Sequence, residues 1–375
     1  MKVALFALLI FTLTLATNAQ DARPILERAV SQIQNEDYEG AIEDLRRVIA
    51  IEPNDPDANY NLGIAYYRLK QYERAVPALR NAIRSKPNLV AAHIYLGNSL
   101  DDLGRYSEAV KVYDLAAQLS PNSAEVFFHL GVAHSRQKNY AAAITAYDRS
   151  LKLAPNDADA AYALGTAYLR LNRSDDALQM FERAVKNNYA SGDAHYQLGK
   201  LLVAKKRYNE AVAPLLESVR IRPEHLGSRL HLGVAYNNLE KYTEAIATLN
   251  EAIRIDPANS EARMSLGNAY FNTGKFNDAA KQYQTAVDLS PRSKLAHNNL
   301  GDALRNAELY SEALTAYNET LNIDSKDAEA AYGIGVVYIK QAKLELARRQ
   351  KAKLEVLNSD LAAKLQKKID AAALR

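Results

Sequence analysis

Along most of this chain apolar residues return at spacings of three and four, in paired runs divided by short polar turns. That is the period of amphipathic helices, not the alternation of strands. Residues 90–123 show the pattern: VAAHIYLGNSLDDLGRYSEAVKVYDLAAQLSPNS. Ala92, Leu96, Leu100 and Leu103 form one apolar stripe, which Gly104 breaks. Ser107 is placed to cap a second helix, and Glu108 suits the positive end of that helix. Ala109, Val110, Tyr113 and Ala116 form the next stripe, and Pro121 with Asn122 ends it. The segment therefore predicts helix, turn, helix.

The same segment recurs with a period of 34 residues. Glycine stands at 63, 97, 131, 165, 199, 233, 267, 301 and 335. Alanine holds a second phase at 41, 75, 109, 143, 177, 211, 245, 279, 313 and 347, and proline a third at 53, 87, 121, 155, 223, 257 and 291. A repeat of this length means a solenoid, so the chain reads as one extended array, not as several globular domains. The units are 22–55, 56–89, 90–123, 124–157, 158–191, 192–225, 226–259, 260–293, 294–327 and 328–361. Glycine inside a helix costs about 1 kcal/mol relative to alanine. Its return at one phase therefore predicts close approach of two helix backbones at Gly97 and Ala109. An aromatic in the inter-helix turn, at 38, 72, 106, 140, 208, 242, 276 and 310, is expected to fill the gap between one helix pair and the next.

These residues resemble the tetratricopeptide repeat family. Its pattern has a large residue at position 4, Leu-Gly at 7 and 8, Tyr at 11, Ala at 20, an aromatic at 24, Ala at 27 and Pro at 32. Repeat 8 matches with Leu266-Gly267, Tyr270, Ala279, Tyr283, Ala286 and Pro291. Position 4 never carries Trp, and Phe127, His93, His195 and His297 stand there in four repeats. Repeat 5 has Ser174 for the turn aromatic and Tyr189 for the proline. The resemblance implies an all-α fold, a superhelical solenoid of antiparallel helix pairs. The last unit lacks a following repeat, and residues 359–375 carry Leu361, Leu365 and Ile369 on one face with lysines mostly off it, so a capping helix is expected there.

The first 19 residues depart from the repeat. Lys2 precedes an uncharged run, VALFALLIFTLTL, and Thr17 and Ala19 are small residues before Gln20. This is the three-part pattern of a secretory signal peptide. The apolar run is shorter than the roughly 20 residues that a spanning helix needs, which favours cleavage over an uncleaved anchor. The expected location is exported: periplasmic in a bacterium, otherwise secreted. The chain has no cysteine, which excludes disulfides, thiolate metal sites and a cysteine nucleophile. Its formal net charge of +3 argues against non-specific nucleic-acid binding. Charge is uneven all the same: Lys340 to Arg375 holds ten basic and four acidic residues, against an acidic excess in the rest after residue 19.

No phosphate loop, metalloprotease helix, nucleophile elbow or dinucleotide fingerprint occurs. The histidines lie too far apart, or at the wrong helical spacing, to converge on a metal. No cofactor is expected, and an enzyme has nothing to rest on. What remains is a surface. On the first helix of each repeat, positions 5, 9 and 12 form a stripe apart from the packing positions. Its candidate partner-binding residues are Tyr60, Ile64, Asn98, Asp101, Phe128, Tyr162, Thr166, Tyr196, Lys200, Asn268 and Tyr332. The resemblance implies a concave groove there that takes a protein or peptide; the shared position of the aromatics makes them the expected anchors, with Asn98, Asp101, Lys200 and Asn268 expected to bond to peptide backbone. Packing of the aromatics between neighbouring helices is the competing reading. The family's carboxylate clamp needs Lys at position 5, which no repeat has. The asparagine ladder at position 6 of the O-linked N-acetylglucosamine transferase arm is also missing. The expected function is thus an exported scaffold, with a subunit of an envelope secretion, pilus or polysaccharide assembly machine as the alternative. A recognition arm for a separate glycosyltransferase is the more distant one.

Overall fold

The computed structural model describes residues 22–188 and 190–374. The segment read as a signal peptide lies outside these residues. The described residues form helices joined by short turns, with no strand. The chain divides between Tyr189 and Ala190 into two compact units. Unit 1 holds α1 (22–34), α2 (Tyr38–Ile51), α3 (Pro56–Arg68), α4 (Tyr72–Ser85), α5 (Val90–Asp102), α6 (Tyr106–Leu119), α7 (Ala124–Arg136), α8 (Tyr140–Leu153), α9 (Ala158–Arg170) and α10 (Ser174–Asn187). Unit 2 holds α11 (Gly192–Ala204), α12 (Tyr208–Ile221), α13 (Leu226–Asn238), α14 (Tyr242–Ile255), α15 (Ser260–Asn272), α16 (Phe276–Leu289), α17 (Lys294–Asn306), α18 (Tyr310–Ile323), α19 (Ala328–Lys340), α20 (Leu344–Leu357) and α21 (Ser359–Ala373). Within each unit every helix packs on the next, and first helices also touch the first helices of adjoining repeats, as α3 on α5 and α11 on α13. A solenoid built this way has only neighbour contacts.

The alanine phase is fully buried at all ten positions, from Ala41 to Ala347. The glycine phase has a different cause from the expected backbone approach. A Cβ at Gly97 would lie 2.5 Å from the ring of Tyr113, and one at Gly131 would lie 2.6 Å from Tyr147. At Gly63, Gly199 and Gly233 the occupants are Leu79, Leu215 and Leu249. Each glycine is therefore a socket for one large side chain at position 24 of the paired helix. Repeat 10 has Lys351 at position 24, and there Leu365 of α21 fills the socket at Gly335. Leu361, Leu365 and Ile369 are all buried, so the last helix substitutes for a missing side chain as well as covering an open face.

One local expectation is corrected. Ser107 does not cap the second helix. α6 already begins at Tyr106, its cap residue Arg105 makes no side-chain cap bond, and the Ser107 hydroxyl accepts from Gln137 Nε2 at 3.2 Å. The turn is tighter than the sequence suggests because Gly104 is left-handed, at φ +73°. The turn aromatics face both ways: Tyr72 and Phe276 lie 5.5 Å from Tyr67 and 5.4 Å from Phe271 of their own repeats between ring centroids, while Tyr310 packs on the core that Ala330, Ile334 and Val337 of the next repeat help to form. First helices, by contrast, are mostly capped by side chains: Asp55, Ser123, Asp157, Ser191, Asn259, Ser293 and Asp327 each accept a backbone N–H of the first turn. The buried His93 and His297 at position 4 donate from Nε2 to the carbonyls of Pro87 and Pro291, both at 2.9 Å, and so tie each repeat to the junction before it.

Candidate binding faces of the two units

In unit 1 the first-helix stripe is aromatic and half-buried. Tyr60 meets Tyr95 edge-on at 6.1 Å, and Tyr95 meets Tyr67 at 5.5 Å. Burial pushes the Tyr60 and Tyr67 phenols up to about 12, so both stay neutral donors. Phe128 lies 5.9 Å from Tyr147, and Tyr162 lies 5.7 Å from Phe181. Ile64 is buried. The Thr166 hydroxyl bonds back to the Tyr162 carbonyl at 3.0 Å. Tyr60, Phe128 and Tyr162 thus share their surface between solvent and neighbouring side chains.

Asn98 and Asp101 face the helix packing more than a ligand. The Asn98 side-chain oxygen accepts from the Tyr113 hydroxyl at 2.5 Å. Asp101 is 7% exposed, and its Oδ2 lies 3.0 Å from Arg136 Nε, while its Oδ1 has no hydrogen-bond partner. Burial raises the Asp101 carboxyl and Arg136 opposes the rise. A buried carboxylate at the C-terminal end of α5 also opposes the helix dipole, which leaves Arg136 as its main compensation.

In unit 2 the stripe is mixed, with Lys200, Asn268 and Asp302 among apolar residues such as Leu230, Val234 and Met264. Tyr196 is half-buried, 4.5 Å from the His225 ring and 5.9 Å from the stacked His231 ring. The exposed Lys200 ammonium stands 5.9 Å over the same tyrosine. Burial, with help from Lys200 and His225, lowers His231 to about 4. Further along, Asn268 Oδ1 accepts from the Tyr283 hydroxyl at 2.7 Å and from Asn299 Nδ2 at 3.4 Å. Asp302 accepts from Tyr317 at 2.6 Å and pairs with Arg305 at 2.9 Å. An open cleft of about 240 Å³ lies here, lined chiefly by Asn237, Asn238, Asn268, Asn272, Asn299 and Asp302. Its side-chain amides offer neutral donors and acceptors, the chemistry that pairs with a peptide main chain. Tyr332 is half-buried beside the terminal core of α19 to α21.

The structure therefore brings together Lys200 with Tyr196 and, from the predicted set, Asn268 with the cleft. Asn237, Asn238 and Asn272 were missed. They stand at positions 12 and 13 of their helices, where a run of asparagine in repeats 7 and 8 was the available signal. Among the described residues no group of three or more His, Asp or Glu side chains is placed to hold a metal ion. No helix among them is long and apolar enough to cross a membrane.

A family model described as Tetratricopeptide repeat matches residues 63–124, 94–158, 162–225 and 264–328, and one described as TPR repeat matches 33–70 and 233–274. No curated protein matches the chain in sequence. Among solved structures the chain is similar to the Pseudomonas aeruginosa pilF protein, with 20% identity over 57% of this chain and 97% of that one, at a TM-score of 0.50. It is also similar to YrrB, described as a TPR protein with an unusual peptide-binding site. That match has 25% identity over 49% of this chain and 95% of that one, at a TM-score of 0.45. A MamA structure matches at 23% identity over 45% of this chain and 92% of that one, at a TM-score of 0.42.

Proposed function

Because the chain belongs to the tetratricopeptide repeat family, we propose that it is an exported, non-enzymatic scaffold that binds a protein or peptide along its first helices. One observation carries the reading: the amide-lined cleft on α13, α15 and α17, whose groups suit a main chain of almost any sequence. The half-buried rings of Tyr60, Phe128, Tyr162 and Tyr196 supply a second, apolar kind of contact, since aromatic anchors at an interface commonly contribute about 2 kcal/mol or more each. Export rests on the N-terminal sequence pattern, and no nucleic acid is invoked.

The test uses residues that line the cleft without holding the fold. Asn98 and Asn268 are poor choices, since their truncation would strand a buried tyrosine hydroxyl. Asn272 is exposed, and Asn238 spends one N–H on the Val234 carbonyl at 2.8 Å. Asn238→Ala with Asn272→Ala should therefore weaken capture of peptides selected from a random library by at least tenfold, with the melting temperature unchanged. Equal capture by the variant would remove the cleft from the function. The alternative, a subunit of an envelope assembly machine, is favoured by the basic residues that gather on α20 and α21. It predicts that a partner binds the variant and the parent alike.

A further inference from the structure

Two surfaces at opposite ends of the sequence have complementary chemistry. The first is a cleft of about 680 Å³ in unit 1, bounded by α1, the end of α2 and the start of α3. Leu26, Val30 and Val48 give it an apolar floor. Glu52, Asp55 and Asp57 stand on its wall, and none of the three is paired with a cation among the described residues. The fourth acid, Glu27, is already opposite Arg23 at 3.6 Å. Asp55 uses one oxygen to cap α3, at 2.5 Å from the Ala58 N–H.

The second surface is the outer face of α21. Asp360, Lys364, Lys367, Lys368 and Ala371, with Leu374 just past the helix end, follow one another at helical spacing, and all are exposed. The three lysines make no ion pair among the described residues. Leu374, at 89% exposure, is the most exposed large apolar side chain described. A helix that only solvated the end of the array would need the lysines and not the leucine. The face matches the cleft in kind: three lysines outnumber the single acid on the same line, Asp360, and meet three carboxylates, while a leucine meets an apolar floor.

We propose that the chain associates with itself head to tail, the outer face of α21 in one copy docking into the acidic cleft of a second copy. The two patches differ, so the contact is heterologous and repeats instead of closing on itself unless the rotation happens to form a ring. The lysines steer and orient the encounter, while Leu374 against Leu26 and Val30 supplies the apolar part. Binding of a peptide along the first helices of α13 to α17 uses other residues and does not depend on this contact.

The measurement is sedimentation equilibrium of the purified protein at rising concentration. The average mass should climb above that of one chain, and the association constant should fall at least tenfold between about 0.05 and about 0.5 M salt, as the Debye length shortens. Lys364→Glu with Lys367→Glu and Lys368→Glu should weaken association at least a hundredfold, and so should Glu52→Lys with Asp57→Lys. An equimolar mixture of the two variants should associate again, because the native tail of the cleft variant meets the native cleft of the tail variant and the acidic tail meets the basic cleft, so every contact pairs opposite charges. Unchanged far-ultraviolet circular dichroism in each variant establishes that it is folded. A protein that stays a single chain at every concentration would overturn the proposal, as would association that ignores both reversals or a mixture that fails to recover. A single-chain protein whose lysine face instead binds anionic phospholipid vesicles would reassign that face to a lipid surface.

Discussion

The turn inside each repeat offers the sharpest energetic test, because one conformation is imposed on ten different residues. Position 15 is left-handed throughout: Glu36, Lys70, Lys138, Asn172, Lys206, Glu240, Glu308 and Ala342 have φ between 57° and 64°, and Gly104 and Gly274 have 73° and 75°. Two backbone bonds hold the turn. In repeat 3 the Arg105 N–H reaches the Leu100 carbonyl at 2.8 Å and the Gly104 N–H reaches Asp101 at 2.9 Å, and in repeat 6 the Arg207 and Lys206 N–H groups do the same to Leu202 and Val203. A residue with a Cβ adopts this conformation at a cost of roughly 1–2 kcal/mol. Glycine avoids that cost but loses about 0.5–1 kcal/mol through the greater freedom of its unfolded chain. The difference leaves glycine better by about 0.5–1 kcal/mol at this position.

Gly104→Ala should therefore destabilise unit 1 by about 0.5–1 kcal/mol, and Lys206→Gly should stabilise unit 2 by a similar amount. The comparison is clean, since no atom lies within 4 Å of a Cβ built at Gly104 or Gly274. Packing cannot contribute, and only the backbone is tested. Gly97→Ala is the contrast. Its Cβ would meet the Tyr113 ring, so an overpacking cost of about 1–3 kcal/mol should outweigh the gain of about 1 kcal/mol in helix propensity. Urea unfolding followed by circular dichroism reads each change, and 1 kcal/mol corresponds to about 2–4 °C in melting temperature for a unit of this size. A neutral Gly104→Ala, or a destabilising Lys206→Gly, would refute the assignment of the turn energy to the left-handed residue.

Three further outcomes are expected. Deleting residues 359–375 empties the socket at Gly335 and bares Val336, Leu354 and Leu357, so the product should aggregate by light scattering while keeping its ellipticity per residue; a stable single chain would show that α21 is no cap. Limited proteolysis should cut first within residues 187–192, where the junction proline is replaced and the two compact units divide; first cleavage at another inter-helix turn would place the weakest point elsewhere. Unit 2 should lose stability as pH falls from about 6.5 to about 4, since His231 stays neutral when folded and takes a proton when unfolded, so the unfolded state binds more protons in that window. His231→Gln should flatten the loss, and an identical pH profile for the variant would place it in other groups.

The array was legible in the sequence because its spacing is strict and its burial is absolute. Ten alanines at one phase, all at 0% exposure, leave no freedom for a larger residue, and that constraint is written plainly. The left-handed turn was not legible. Only two of its ten residues are glycine, and the two turn hydrogen bonds hold Lys, Glu, Asn or Ala there against a cost of only about 1–2 kcal/mol. The helix start at Tyr106 was misplaced for the same reason, since the turn that tightens it carries no repeated residue type.

The candidate site was half legible, and the reason lies in which positions were read together. Taken alone, position 9 looked like a row of polar residues waiting for a partner. Beside position 24 it resolves into pairs. Where position 24 is tyrosine, position 9 accepts its hydroxyl in three repeats: Asn98 with Tyr113, Asn268 with Tyr283 and Asp302 with Tyr317. In the fourth, Tyr147, position 9 is Val132 and the hydroxyl meets Ser135 instead, at 3.3 Å. Where position 24 is leucine or phenylalanine, at Leu45, Leu79, Phe181, Leu215 and Leu249, position 9 holds Val30, Ile64, Thr166, Lys200 or Val234, none of which serves as such an acceptor. The socket glycine admits a ring, and the ring's buried oxygen then needs a partner. Much of what resembled recognition chemistry on the first helices is thus the satisfaction of internal tyrosines. The residues left over for a ligand are those that no tyrosine hydroxyl claims: the exposed amides of Asn238 and Asn272, the ammonium of Lys200 over the Tyr196 ring, and the uncovered edges of Tyr60, Phe128 and Tyr196.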